Sequence, residues 1–324
     1  LLVNSRTSYQ SIGNELNLSS AMIKNRTMKM IDDGTIGRFV TQIKFQMFSY
    51  DLIYAIISHR SEHKQTILDR IKLVGDVFIV INCIGDVTVL GIAVTGELEQ
   101  KMKLMKKLVE PDIIINIFPV KSVPIKKLIR TDLLIIKHLI KYPRTSTIDI
   151  AKAINVSTRT VKRRLEFLIK LDIMRFSILY NPAAMRGFIQ FSLLLDIDEK
   201  KYTDVVVKIY KQLGDYFLLP PPPLYQKNLI VVILYTDNVH SMDEMFKTVQ
   251  NMDGVNNVEL SIPTKLEFKL DWFSKLIDKV LKNMKGNGGH FTLLLVLLHR
   301  PLRMKSPKSH TQPGNSIQTL CKRT

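Results

Sequence analysis

The spacing of apolar residues changes period several times along this chain, and the changes mark out its elements. From Thr131 to Lys141 the apolar positions Leu134, Ile135, Leu139 and Ile140 form the stripe of an amphipathic helix. Ser146 opens a second stripe, Ile148, Ile150, Ala151 and Ile154, with Asp149 three residues on in a loose capping-box arrangement. Asn155-Val156-Ser157 predicts a turn, and Ser157 caps a third helix that buries Val161, Leu165 and Leu168. The opposite face of that helix shows Thr158, Arg159, Lys162 and Arg163. An earlier stretch follows the same plan, with Ser8, the turn Asn17-Leu18-Ser19, and an exposed face carrying Ser20, Lys24 and Asn25.

After each helical cluster the pattern becomes mixed. Asp51–Ile57, Val77–Asn82, Val87–Val94 and Ile113–Ile117 read as strands, with helices at Glu62–Val74 and Glu97–Val109. Further on, Phe188–Leu195, Tyr216–Leu219, Leu229–Tyr235 and Val255–Ser261 read as strands, with helices at Tyr202–Leu213 and Ser241–Gln250. Both series run β-α-β-β-α-β, the order of the ferredoxin-like split unit. The apolar second face of such a sheet seeks another sheet. A last amphipathic stripe, Leu270, Trp272, Phe273, Leu276, Ile277 and Val280, predicts a helix packed on the final module.

A self-comparison joins these observations. Residues 6–26 align without a gap on residues 144–164, and after one gap Arg38-Phe39 falls on Arg175-Phe176. The chain reads as a tandem duplication: an α+β protein of two repeats, each a winged helix-turn-helix followed by a ferredoxin-like βαββαβ module. The expected division is a first winged helix-turn-helix at 1–39, its opening helix truncated, and a first module for ligand binding and association at 40–118. A linker at 119–130, a second winged helix-turn-helix at 131–187 and a second module at 188–268 come next. A C-terminal helix at 269–284 and a disordered basic tail at 285–324 complete the chain.

Charge sharpens this division. The net charge of +18 is distributed as +2 over 1–39, 0 over 40–120, +10 over 121–176, −2 over 177–281 and +8 over 282–324. Basic blocks between near-neutral modules point to polyanion contacts on particular modules. With only Cys83 and Cys321, a disulfide framework and a Cys-ligated zinc site are both excluded. The longest apolar run, Phe291–Leu298, is under half the ~20 residues a membrane span needs. With no secretory signal visible, a cytoplasmic location is expected. His59 and His63 lie four apart but lack the glutamate of a zinc protease, and surface histidines are the better reading. There is no Gly-rich phosphate loop, nucleophile elbow or catalytically spaced carboxylate pair. Neither a metal nor a cofactor is expected.

Several motifs together resemble the Lrp/AsnC (feast/famine) transcription regulators, in a tandem form as in archaea. They are the Ile-Gly-x-x-Leu-Asn-Leu-Ser turn at 12–19 running to Asp33-Gly34-Thr35-Ile36, and Asn155-Val156-Ser157 with Lys162-Arg163-Arg164. Leu179-Tyr180-Asn181-Pro182 leading into a strand is the third. The resemblance covers residues 1–268 twice over and implies binding of double-stranded DNA. It further implies packing of the two sheet modules as an intramolecular pseudo-dimer, further homo-oligomerisation, and a small effector such as an amino acid. The matching positions for DNA are Ser20, Lys24, Asn25, Arg26 and Arg38 in the first copy. In the second they are Thr158, Arg159, Lys162, Arg163, Arg164 and Arg175. Arg26 and Arg164 lie nearer the buried face, so a local ion pair is an equal reading for each. Family effector sites involve the turn held here by Gly85-Asp86, which a plain hairpin turn explains as well. In the second copy four prolines, Pro220–Pro223, replace that turn and supply no N–H for a ligand. The alternative function is a sirohaem decarboxylase-like enzyme on the same plan. Such an enzyme needs His and Arg around a tetrapyrrole, yet the strand 186–195 holds no His.

Overall fold

The structure is a computed structural model that describes residues 1–58, 64–109, 114–120, 128–219 and 228–286. His59 and His63, Pro220–Pro223, most of the linker and the tail from residue 287 lie outside the described residues.

The first helical pair is α1 (Tyr9–Leu16) and α2 (Ser20–Asp32). Asn17 turns the chain with φ 54°, and the Ser19 hydroxyl accepts from the Met22 N–H at 3.2 Å. Gly13 is required here, because a Cβ on it would stand 2.4 Å from the Leu18 carbonyl oxygen. Strand β1 (Ile36–Ile43) follows, then a 3-10 turn over Phe45–Phe48.

The first sheet unit comprises β2 (Asp51–Ser58), α3 (Lys64–Ile71), β3 (Asp76–Cys83), β4 (Val87–Val94), α4 (Leu98–Leu108) and β5 (Ile114–Val120). Strand β5 runs past the expected linker start: Pro119 and Val120 pair with Ile53 and Leu52. Proline is tolerated there because β5 is an edge strand. One face of the sheet buries Ile53, Ala55, Ile57, Leu90 and Ile92 against Ile67 and Ile71 of α3 and Met105 of α4.

The second helical cluster is α5 (Arg130–Lys141), α6 (Thr147–Ile154) and α7 (Thr158–Lys170), followed by β6 (Met174–Tyr180). Its turn matches the first: Asn155 has φ 55°, and the Ser157 hydroxyl accepts from the Thr160 N–H at 3.1 Å. The second sheet unit holds β7 (Ile189–Ile197), α8 (Tyr202–Leu213), β8 (Phe217–Leu219), β9 (Leu229–Thr236), α9 (Val239–Gln250) and β10 (Val255–Ser261). Its strand order is β10-β7-β9-β8, equivalent to β5-β2-β4-β3 in the first sheet. Phe191, Leu193 and Val232 pack there on Val205, Ile209 and Val249.

Three findings differ from the expected division. First, β1 and β6 form a two-stranded antiparallel ribbon with each other, so each helical cluster supplies one strand. The register is self-complementary: Val40 faces Ser177, while Phe39 faces Ile178 and Thr41 faces Phe176. That is the pairing of a two-fold contact, made here within one chain. Second, β11 (Pro263–Phe268) leaves the second unit and pairs with β3. It covers an edge that would otherwise present unpaired backbone groups, and gives the first sheet the order β11-β3-β4-β2-β5. Third, α10 (Asp271–Gly286) does not pack on the final module. Its buried face of Phe273, Ile277, Val280 and Leu281 joins Leu133, Ile136 and Leu139 of α5 in one core. Phe45, Phe48 and Phe78 complete that core, with the rings of Phe45 and Phe273 5.1 Å apart and those of Phe48 and Phe273 4.9 Å apart. Helical spacing fixes which face of α10 is buried, but β11 decides against what, by carrying the chain back to the first sheet.

Candidate nucleic-acid interface

Helix α7 is held by its apolar face and leaves its other side open. Val161 and Leu168 are fully buried and Leu165 nearly so. Thr158, Arg159, Lys162, Arg163 and Glu166 are exposed. Arg164 stands apart from this group. Its Nε and an Nη donate to the two oxygens of the Asp132 carboxylate at 2.6 and 2.5 Å, and its guanidinium lies 4.3 Å from the Phe167 ring centroid. Asp132 is fully buried and also accepts from the Ile129 N–H at 2.8 Å, capping α5. Arg164 therefore clamps α7 to α5, in keeping with the ion-pair reading of this residue and not with the DNA-facing one. A buried carboxylate without this fork would be costly.

In α2, Ile23 and Thr27 face inward while Lys24, Asn25 and Arg26 are exposed and Ser20 is half-buried. Among the described residues no carboxylate forks onto Arg26 as Asp132 does onto Arg164. Ala21, Met22 and Met28 also reach solvent on this helix.

Arg38 and Arg175 lie on the ribbon strands and are exposed. Arg38 donates to the Phe268 carbonyl of β11. Arg175 forks onto Asp172, with an Nη–oxygen distance of 2.9 Å. Asp172 is three positions from Arg175, whereas Phe268 is 230 positions from Arg38.

The sequence pattern did not single out Arg6 and Arg144, which open the two aligned segments. Arg6 donates to the carbonyls of Pro143 and Thr145 at 2.7 and 2.8 Å and lies over the Phe176 ring at 5.0 Å. Arg144 lies over Phe39 at 4.7 Å and over Tyr9 at 5.0 Å, and donates to the Tyr9 hydroxyl at 3.3 Å. Each arginine thus sits on the ribbon phenylalanine of the opposite cluster. Burial, with the Arg144 charge adding to it, pulls the Arg6 guanidinium below its ordinary pKa. The coincidence of Arg6 with Arg144 in the self-alignment marked both residues but named neither ring as a partner.

Gly85 and Asp86 form the β3–β4 turn, with φ 76° and 56°. Both are exposed, and a Cβ on Gly85 would meet nothing within 4 Å. The glycine serves the backbone angle and forms no cradle. No group of three or more His, Cys, Asp or Glu side chains able to hold a metal occurs among the described residues. No helix among them is long and apolar enough to cross a membrane.

Residues 130–173, which contain α5, α6, α7 and their turns, match the winged helix-turn-helix DNA-binding family. An uncharacterised HTH-type transcriptional regulator of Pyrococcus horikoshii is 38% identical over 65 residues, or 20% of this chain and 43% of that protein. The match therefore spans less than half the length of that relative. Among solved structures, the siroheme decarboxylase NirDL is similar over 86% of this chain and 93% of its own, with TM-score 0.50 and 11% identity. AsnC of E. coli is similar over 42% of this chain and 92% of its own, with TM-score 0.34 and 17% identity. The likeness to NirDL is one of mixed α+β fold.

Proposed function

Starting from its resemblance to the Lrp/AsnC regulators and its winged helix-turn-helix, we propose that this chain is a sequence-specific DNA-binding transcription regulator. The observation that carries the reading is the exposed row Arg159, Lys162 and Arg163 on a helix locked in place by the Arg164–Asp132 fork. Such a row supplies the donors that phosphate clamping and major-groove contact require. Fluorescence anisotropy with duplex DNA tests it. The combined Arg159/Lys162/Arg163→Ala variant should bind at least tenfold more weakly at physiological salt, and unchanged affinity would contradict the reading.

The finer organisation belongs to the same reading. A tandem duplication is supported by the matching turns, the equivalent sheet orders and the self-complementary ribbon. The two halves act as an intramolecular pseudo-dimer, whose sheet modules are the site for an amino-acid effector and for further self-association. The division into 1–39, 40–118, 131–187 and 188–268 is kept as a proposal, with residues 263–268 contributed to the first sheet.

The fold likeness to NirDL favours a second reading, a tetrapyrrole-acting enzyme. Titration with an iron tetrapyrrole separates the two. A shifted visible absorbance band at stoichiometric ratio supports the enzyme, and an unshifted band with tight duplex binding supports the regulator.

A further inference from the structure

The two helical clusters are built alike but present unlike faces. Both turns use Asn in the left-handed region and Ser as the next N-cap, and the ribbon joins them in a two-fold register centred on Val40 and Ser177. Matching positions along α2 and α7 therefore have matching places in the frame. At those positions Ala21 stands against Arg159, Lys24 against Lys162, Asn25 against Arg163 and Met28 against Glu166, and all eight side chains are exposed.

We propose that the chain reads a bipartite DNA site with two chemically different halves, bound in one fixed orientation. This rests on the DNA-binding reading above and adds what each half contains. Arginine bonds in two-point fashion to the O6 and N7 edge of guanine, and glutamate accepts from the cytosine amino group. Arg159, Arg163 and Glu166 therefore fit a half-site rich in G·C pairs. Asparagine bonds in the same way to adenine N6 and N7, and small or flexible apolar side chains contact the thymine methyl. Ala21, Asn25 and Met28 therefore fit a half-site rich in A·T pairs. Lys24 and Lys162 are shared and serve the phosphates in both halves, as does the exposed Arg26 in the first, whose counterpart Arg164 is taken up by Asp132. The halves are inverted with respect to each other, because the ribbon relates the clusters by a two-fold, and are centred about 10 base pairs apart or a multiple of that. A symmetric palindrome would leave one of the two faces mismatched, since a two-fold frame gives like halves only when the reading faces are alike.

In vitro selection from random duplexes with the full chain tests this. Wild type should enrich a site with one A·T-rich and one G·C-rich half. Asn25→Ala should lower discrimination only in the A·T half, and Arg163→Ala only in the other, each by roughly tenfold to a hundredfold. The surface variant Ala21→Arg/Asn25→Arg/Met28→Glu should enrich a G·C-containing inverted repeat with like halves, while melting as wild type does. Enrichment of a symmetric palindrome or of a single half-site by wild type would overturn the inference. Failure of every form to enrich or retain any duplex would instead overturn the DNA-binding reading on which it rests.

Discussion

At the scale of single residues, the clearest division is between Arg164 and its neighbours on the same helix. Arg159, Lys162 and Arg163 face solvent, while Arg164 turns to the fully buried Asp132. Removing either member of the fork leaves the other charge buried, which costs about 3–5 kcal/mol. Thermal or urea denaturation of Arg164→Ala should show that loss, with the salt slope of DNA binding unchanged below the melting point. The sequence carried both readings of Arg164, because helical spacing put it at the border of the buried face and nothing local named Asp132, 32 positions away, as its partner. A second residue-scale outcome concerns His138. Its Nε2 is buried without a hydrogen-bond partner, and its ring lies 5.5 Å from that of Tyr142. Burial lowers its pKa, with Asp149 the nearby charge acting in the other direction. The unfolded chain therefore takes up this proton first as pH falls. The stabilising contribution is full above about pH 6.5 and is lost as pH drops through the folded-state value. His138→Gln should flatten that decline in melting temperature between pH 7.5 and 5.5; an equal decline in both proteins would rule the histidine out as its source.

At the scale of elements, local pattern sufficed where an element makes its own partner surface. The β-branched apolar run at Val87–Val94 and the stripe at Tyr202–Leu213 give the observed bounds of β4 and α8. Pattern failed where the partner lies far along the chain. Strand β11 reads as a simple continuation after β10, yet its backbone pairs with β3, including Lys265 with Asn82 and Phe268 with Ile79. Helix α10 shows an amphipathic face that could cover any apolar surface, and β11 delivers it to α5 and the Phe45–Phe48 segment. The energetic consequence is testable. Phe273 is fully buried among Phe45, Phe48 and Trp272, so Phe273→Ala should cost about 3–5 kcal/mol. Because this core includes Leu133, Ile150 and Leu168, hydrogen exchange should quicken in α5 to α7 and remain as in wild type in the α8–α9 layer. Faster exchange in α8 and α9 alone would mean that α10 belongs to the final module after all.

At the scale of the whole molecule, the self-alignment of 6–26 with 144–164 made the helical clusters legible, and their turns superpose in chemistry as well as order. The way they join was not legible. The ribbon of β1 with β6 and the crossed packing of Arg6 on Phe176 and Arg144 on Phe39 join residues far apart in the chain. No short window of sequence contains both partners. The result is one frame that carries Arg159, Lys162 and Arg163 on α7 and a face with fewer arginines, holding Lys24 and Arg26, on α2. A grip of α7 on DNA through its exposed cations shows first in the salt dependence of duplex binding. For Arg159/Lys162/Arg163→Ala against wild type, the logarithmic slope should fall by at least about 0.9, the share of the phosphate-binding Lys162. Equal slopes for the two proteins would contradict the account.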